Sequence, residues 1–374
     1  MHHISFSPKR SSLVAFLALT LAMFACVPNE PTPDRPSGDW QVLAITDEAN
    51  SRYIEYAVSQ ASAVTSGGVK KLTARVNNAN LFLGKDSIRG IGGRVSKVYS
   101  FRDNLYVFLP EQKRIEIISS TTFRPVKTLD FTAQNRIPTD IIFANATTGY
   151  IAFENATVLA VIDISSIGSF VIAREIEVGR NPVALQVQGN QIYCALRGEN
   201  QVIILDSRDT VVKARIPVPT APVFIGLTVS GQDLFVVSAG GGRYDNLPRT
   251  APRASRISLS TQRITQQAPI VNTADSTTEA VYGLVVTDQD YAYIPMSRAL
   301  YQVDVQNVLL SQSTLEGVYR NVGYNPIRNE VLVAEIDSVG MSASCIIINP
   351  RTGKDSLVVP LTDLRARPKL LLTK

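Results

Sequence analysis

Arginine residues recur along this chain at a spacing of about 40–50 residues, or a multiple of it. Each stands at the start of a short apolar run of the kind that favours a β-strand. A guanidinium group binds carboxylate, sulfate or phosphate through two parallel hydrogen bonds. If the runs converge in space, these side chains predict a site for an anionic ligand. The five residues are Arg94, Arg136, Arg180, Arg320 and Arg367.

A second group of candidate ligand-binding residues lies in the longest predicted loop, residues 239–254. Long loops in compact folds usually carry function or are disordered. We expect this loop to lie on the same face of the molecule as the arginines. Its candidate residues are Arg243, Tyr244, Arg249 and Arg253.

The elements that position these side chains are four short β-type runs that repeat along the chain. The clearest copy has runs at residues 183–187, 191–196, 201–206 and 210–216, separated by turn residues. A repeat of about 40–50 residues with four strands per unit predicts a β-propeller. The middle runs are apolar throughout, as expected for strands that neighbouring sheets bury on both faces.

We therefore predict an all-β fold over residues 40–374: a seven-bladed β-propeller with four-stranded antiparallel blades. Blades two to seven are expected at residues 88–133, 134–179, about 180–216, 220–272, 277–317 and 318–361. The first blade combines runs at 40–46, 52–58 and 69–76 with the C-terminal run 367–373, which matches the phrase at 180–186. The C-terminal strand is thus expected to close the ring by joining the N-terminal blade.

The repeat resembles the YVTN-type surface-layer propeller repeat. The resemblance rests on the residues 178–182 (Val-Gly-Arg-Asn-Pro), 192–193 (Ile-Tyr) and 202–206 (Val-Ile-Ile-Leu-Asp). Of the tetrapeptide that names the family, only the tyrosine is present, in the stretch 193–196. Such repeats occur in exported bacterial and archaeal proteins, most of them without known activity. The resemblance implies a propeller, and a cell-surface or periplasmic binding protein.

The first 25 residues have the features of an export signal: Lys9 and Arg10 precede an uncharged apolar run at 13–25. The run ends in Met23-Phe24-Ala25-Cys26, which resembles the lipobox of bacterial lipoproteins. This resemblance implies that Cys26 carries a lipid anchor and that the proline-rich residues 26–39 form a tether. Val27 after the cysteine implies the outer membrane, with the protein facing the periplasm or the cell surface. The alternative is ordinary secretion with cleavage near Ala25.

Composition excludes several classes of site. Both histidines, His2 and His3, lie in the predicted signal, so the mature chain can form neither a Ser-His-Asp triad nor an imidazole-ligated zinc or haem site. Without Lys9 and Arg10 the chain has 35 basic and 32 acidic residues, a balance that does not favour nucleic-acid binding. Cys194 and Cys345 fall in distant blades, and we expect no disulfide between them. No cofactor is expected.

We interpret the chain as a monomeric, non-enzymatic binding protein of the cell envelope, held to the membrane through Cys26. Its partner is an anionic ligand, an acidic glycan or another envelope protein. The structural alternative is that each arginine pairs with an acidic residue of a neighbouring blade or with loop carbonyls. The enzymatic alternative is a calcium-dependent, lactonase-like hydrolase, for which oxygen ligands would come from Asp140, Asn181, Glu279 and Asn321.

Overall fold

The computed structural model describes one part of the chain. The described residues are 40–46, 53–66, 69–78, 91–166, 170–244, 246, 248–271, 280–316, 318–325, 329–336, 343–350, 355–361 and 368–373. The chain divides into two units, Met1–Gly38 and Asp39–Lys374, and every described residue belongs to the second. The predicted signal, Cys26 and the tether therefore lie outside the described residues.

The described residues form 28 strands, β1 to β28, and one short 3-10 turn at Pro110–Gln112. Sheet 1 contains β4 (Lys97–Phe101), β5 (Asn104–Leu109), β6 (Arg114–Ser119) and β7 (Pro125–Asp130). Sheet 2 contains β8 (Pro138–Phe143), β9 (Thr148–Phe153), β10 (Val158–Asp163) and β11 (Val171–Glu177). Sheet 3 contains β12 (Pro182–Gln188), β13 (Gln191–Leu196), β14 (Gln201–Asp206) and β15 (Val212–Pro217).

Three further sheets complete the set, and the last of them contains both the first and the last described strand. Sheet 4 contains β16 (Pro222–Leu227), β17 (Asp233–Ser238), β18 (Arg253–Ser258) and β19 (Arg263–Pro269). Sheet 5 contains β20 (Val285–Val286), β21 (Tyr291–Pro295), β22 (Ala299–Asp304) and β23 (Leu309–Glu316). Sheet 6 contains β24 (Val318–Asn325), β25 (Glu330–Ile336), β26 (Ala343–Ile348), β27 (Asp355–Leu361), β3 (Val69–Asn78), β2 (Tyr53–Ser66), β1 (Trp40–Thr46) and β28 (Pro368–Thr373). Among the strands and turns described, no helix is long and apolar enough to cross a membrane.

The propeller core lies between successive sheets, because the middle strands are apolar on both faces. In β13, Ile192 and Cys194 pack toward sheet 2, whereas Tyr193 and Ala195 pack toward sheet 4. Side chains alternate across a strand, so an uninterrupted apolar run supplies two cores at once. This is the reason that the sequence pattern predicts stacked blades correctly.

The innermost strands of three sheets begin with the same irregularity. Proline starts β8, β12 and β16, and directly after it the ladder with the second strand shifts by one residue. Proline has no N–H to give to the ladder and is tolerated at the first position of a strand. A bulge of this kind inserts one extra residue and re-aims its side chain. The extra residues are Thr139, Val183 and Val223.

The prediction of seven blades is wrong: the described strands form six sheets, five of four strands and one of eight. The expected first blade does form, in the order β28-β1-β2-β3, but it is not separate. Its outer strand β3 pairs in parallel with β27, with Leu357 opposite Lys70 and Val358 opposite Lys71. These backbone contacts merge it with β24–β27 into one sheet.

Pairing of the two chain ends agrees with the expectation from the repeat. β28 lies antiparallel to β1, with Val42 opposite Thr373 and Ile45 opposite Leu370. β28 also packs against β24 and β25. The C-terminal strand is therefore the innermost strand beside β1.

One predicted strand is much shorter than expected. In the blade expected at 277–317, the apolar run at 280–286 predicts the innermost strand. Only Val285 and Val286 form a ladder there, with one isolated bridge between Val281 and Met296. Gly283 lies between the bridge at Val281 and the ladder at Val285. Glycine weakens the interior of a strand because it has no side chain to pack. This open stretch faces the site described next.

Candidate functional site

A cavity of about 660 Å³ opens where the innermost strands of successive sheets converge. It lies at the upper face, defined here as the end of the sheets at which the innermost strands begin and the turns between second and third strands lie. β4, β8, β12, β16, β24 and the residues just before β20 all contribute to its wall. The wall combines an apolar side with a charged side.

Most of the apolar lining residues come from sheets 3 to 6. Two of the bulge residues, Val183 and Val223, lie here, each followed by a further lining residue, Ala184 and Phe224. The remaining apolar lining residues of this side are Val281, Leu284 and Val322. Two of the proline bulges thus contribute side chains to the apolar part of the cavity wall.

The charged side is centred on Asp140 of β8, which is only 5% exposed. Its Oδ1 accepts hydrogen bonds from Lys97 Nζ of sheet 1 and from the Ile141 amide. Its Oδ2 accepts from the Leu185 amide of sheet 3 at 2.8 Å. One carboxylate therefore joins three sheets, and both of its oxygens are engaged.

A second charged pair lies at the rim. Arg197, at the end of β13, donates through Nη2 to Glu154 Oε1 of sheet 2 at 2.5 Å. Tyr244, from the long loop, lies over the guanidinium with its ring centroid 4.1 Å from Cζ. Arg197 Nε is buried and has no hydrogen-bond partner among the described residues. The backbone of Asn181 fixes this turn, because its carbonyl accepts from the Arg197 amide at 2.9 Å.

The structure places Arg136, one of the five predicted arginines, away from the cavity wall. Its guanidinium makes a two-pronged contact with Glu175 of β11 and lies over the Phe153 ring, 5.6 Å from the centroid. The hydrogen bonds from Arg136 hold the pKa of the Glu175 carboxyl below its usual value. Arg136 therefore does pair with an acidic residue, but with one of its own sheet and not of a neighbouring blade as the alternative expected.

The other predicted arginines do not appear together at the described wall. Arg94 lies 3.6 Å from Glu111 Oε1 at an exposed position. Arg180 is exposed, and its backbone amide donates to Glu199 Oε1. Arg320 falls in β24 but its side chain lies outside the described set, as does Arg367 entirely.

The predicted long loop does reach the site, through one residue. Tyr244 lines the cavity and is half exposed, whereas Arg249 is exposed elsewhere on the loop. Arg243 is half-buried and has further contacts. Arg253 begins β18 beside Gln267, whose amide oxygen can accept from Nε at 2.8 Å.

Of the three candidate calcium ligands that the structure describes, two line the cavity, Asp140 and Asn321. Asp140 is fully engaged as described, and Asn181 contributes its backbone to the turn that holds Arg197. Asn321 lines the cavity, and Glu279 lies outside the described residues. Within the described part of the chain, no cluster of three His, Cys, Asp or Glu residues is arranged to hold a metal.

Sequence reasoning missed three charged residues that the structure brings to the cavity: Lys97, Glu154 and Arg197. A signal was present, because Glu154 and Arg197 each directly follow the second strand of a repeat. Charged residues at equivalent positions of adjacent repeats meet at the same turn of neighbouring sheets, which is how this pair forms.

Comparison with known proteins identifies the fold and no family. No protein-family model matches the chain, and no curated protein matches it. A solved structure from Lactobacillus plantarum has a TM-score of 0.61 at 16% identity, over 90% of this chain and 100% of that one. A Bacteroides fragilis protein, provisionally named a 6-phosphogluconolactonase, has a TM-score of 0.62 at 12% identity, over 91% and 99%. Kuenenia stuttgartiensis hydrazine synthase has a TM-score of 0.50 at 12% identity, over 65% and 73%. At these identities the likeness shows the β-propeller fold alone.

Proposed function

We propose that this chain is a non-enzymatic binding propeller that holds a small anionic ligand in the cavity at its upper face. The observation that carries the proposal is the cavity of about 660 Å³ with Arg197 and Lys97 in its wall. Small-molecule sites are concave, mostly apolar, and contain a few placed polar groups that fix the ligand. The cavity has each of these properties.

The expected charge of the ligand follows from the hydrogen-bond donors in the cavity wall that the protein's own acceptors do not use. Both oxygens of Asp140 already accept hydrogen bonds. Lys97 is 40% exposed and its ammonium has three hydrogens, of which Asp140 needs one. Arg197 Nε is a buried donor without a partner among the described residues. A carboxylate, sulfate or phosphate oxygen would satisfy these donors.

The setting proposed for this activity is the cell envelope, with a lipid on Cys26 as the membrane anchor and the proline-rich residues 26–39 as a spacer. The resemblance of residues 23–26 to a lipobox supports it. An acidic glycan or an acidic segment of another envelope protein would present the same anionic groups as a small ligand. Radiolabelled palmitate incorporation, abolished by Cys26→Ser, tests the anchor.

The anion site is tested by thermal unfolding with a panel of organic carboxylates, sulfates and phosphates at low ionic strength. A ligand at 100 times its Kd stabilises the folded state by about 2.7 kcal/mol, which gives a clear rise in melting temperature. Arg197→Met should remove the rise. Arg208→Met is the matched control, because Arg208 is 70% exposed and pairs with Asp206 in the turn after β14. No rise with any anion, or an equal loss in both variants, contradicts the proposal.

The calcium-dependent alternative makes a different prediction from the same assay. A cation would have to displace Lys97 and two backbone amides from Asp140. We therefore expect millimolar calcium to leave the melting temperature unchanged. A calcium-dependent rise that Asp140→Asn abolishes would favour the hydrolase instead.

A further inference from the structure

The two sides of the cavity differ in chemistry, and this restricts the ligand more than charge alone does. Sheets 3 to 6 supply most of the apolar residues that line the cavity, among them Val223, Phe224 and Val322. A ligand group that rests on this surface loses its contact with water. Burial of an unpaired hydroxyl costs free energy, whereas burial of a methylene is favourable. The apolar side therefore favours hydrocarbon over a sugar ring covered with hydroxyls.

The charge balance of the charged side favours a ligand with a single anionic group. Its charges are balanced in pairs, Lys97 with Asp140 and Arg197 with Glu154. A ligand with several negative groups would bring excess charge to a wall that is already neutral. Arg197 Nε is the buried donor that remains without a partner among the described residues. One carboxylate bound at Arg197 is therefore the anionic group that this side favours.

The position of Tyr244 adds a second constraint. Its ring covers one face of the Arg197 guanidinium at 4.1 Å, and Glu154 contacts Nη2. Glu154 and Tyr244 thus occupy one N–H donor and one face of the guanidinium. A single ligand head group therefore has to approach Arg197 from the cavity that it lines.

Resting on the proposed anion site, we infer that the ligand is an amphiphilic monocarboxylate, with its carboxylate at Arg197 and its hydrocarbon body against the wall that contains Val223 and Phe224. This assigns the cavity to a medium-chain aliphatic or aromatic acid. A hydrophilic polyanion such as an acidic glycan does not fit both sides.

A homologous series of straight-chain acids, from butanoate to decanoate, tests this class by calorimetric titration of the full-length protein. Each methylene that enters an apolar site improves affinity about fourfold, until the cavity is filled. We expect this slope from butanoate upward. Galacturonate and 1-octanol are the comparison probes, because one has the anion without the tail and the other has the tail without the anion. Both should bind at least about tenfold more weakly than octanoate, since each loses one half of the contact.

Two variants connect the slope to the cavity. Val223→Thr keeps the volume of the side chain and adds a hydroxyl to the apolar wall, so octanoate affinity should fall about fivefold or more. Val229→Thr is the matched control, because Val229 is 57% exposed in the turn between β16 and β17, at the opposite end of the sheet. Arg197→Met should weaken octanoate while leaving the weak binding of 1-octanol unchanged.

The possible failures separate the two proposals. If galacturonate binds as well as octanoate and the series is flat, the ligand class is wrong and the anion site stands. If 1-octanol equals octanoate, or Val223→Thr has no effect, the amphiphile assignment is also wrong. If no anion of either kind binds, the proposed function itself fails.

Discussion

Removal of the Asp140 side chain should destabilise the propeller strongly, because this carboxylate is buried and connects three sheets. Asp140→Ala deletes three hydrogen bonds and leaves the buried Leu185 amide, at 2.8 Å from Oδ2 in the native protein, without an acceptor. An unsatisfied buried donor costs about 1–3 kcal/mol, and breaking a buried ion pair costs about 3–5 kcal/mol. Lys97 is 40% exposed, so water recovers part of its loss. We expect a net destabilisation of about 3 kcal/mol.

Urea-induced unfolding followed by circular dichroism measures this loss, provided that the slope with denaturant is equal in wild type and variant. Asp140→Asn keeps one acceptor oxygen, so its free energy of unfolding should lie between those of wild type and Asp140→Ala. Asp103→Ala, in the exposed turn between β4 and β5, is the control and should leave the unfolding midpoint unchanged. A loss below about 1 kcal/mol for Asp140→Ala would show that the carboxylate does not join the three sheets as described.

Three further outcomes follow from single contacts. Burial raises the pKa of the Cys345 thiol to about 12, so iodoacetamide should fail to label it in the folded protein at pH 8 and should label it in urea, as read by peptide mass spectrometry. The pKa of Glu175 is lowered in the fold by hydrogen bonds from Arg136, so its contribution to stability is present above about pH 4.5 and is lost as the pH falls through the folded value. Glu175→Gln should accordingly lose less stability than wild type between pH 5 and pH 3, and parallel acid-unfolding curves would contradict this. Gly240 has φ +85, and an added Cβ would lie 2.1 Å from the Thr250 carbonyl oxygen; Gly240→Ala should therefore open the base of the loop and speed its cleavage by protease about tenfold, with little change in global melting.

The repeated strands were predictable because their physical requirement is simple. β13 and β14 have the bounds that the sequence pattern indicated. Their side chains are buried toward two neighbours, so an apolar run with turn residues at both ends is nearly sufficient to specify them. Pairing of β28 with β1 was predictable from the phrase that β28 shares with β12.

The number of sheets was not predictable in the same way. It depends on an edge-to-edge contact between β27 and β3, in which the backbone of Leu357 and Val358 lies opposite that of Lys70 and Lys71. Charged residues on outer strands usually discourage such pairing. Backbone hydrogen bonding along an edge depends on register and twist, which residue types do not reveal.

The site was only partly predictable for a related reason. The spacing of the arginines points to the face at which the cavity lies, yet Arg136 contacts Glu175 and the cavity wall contains Arg197 instead. Side-chain direction at the end of a strand depends on the bulge and on the nearest acid. Residue type alone does not distinguish Lys97 or Glu154 from the many other charged residues of the surface, so it could not assign them to the site.

Because the first and last strands pair in one sheet, the position of the chain termini has little influence on the fold of the propeller. Val42 lies opposite Thr373, so the start of β1 and the end of β28 are at the same end of that sheet. A linker of a few residues could join them, and new termini could open at the turn of Gly189 and Asn190 between β12 and β13. Circularly permuted versions of this protein should then build the same cavity, with a terminus placed wherever a fusion or a label is wanted.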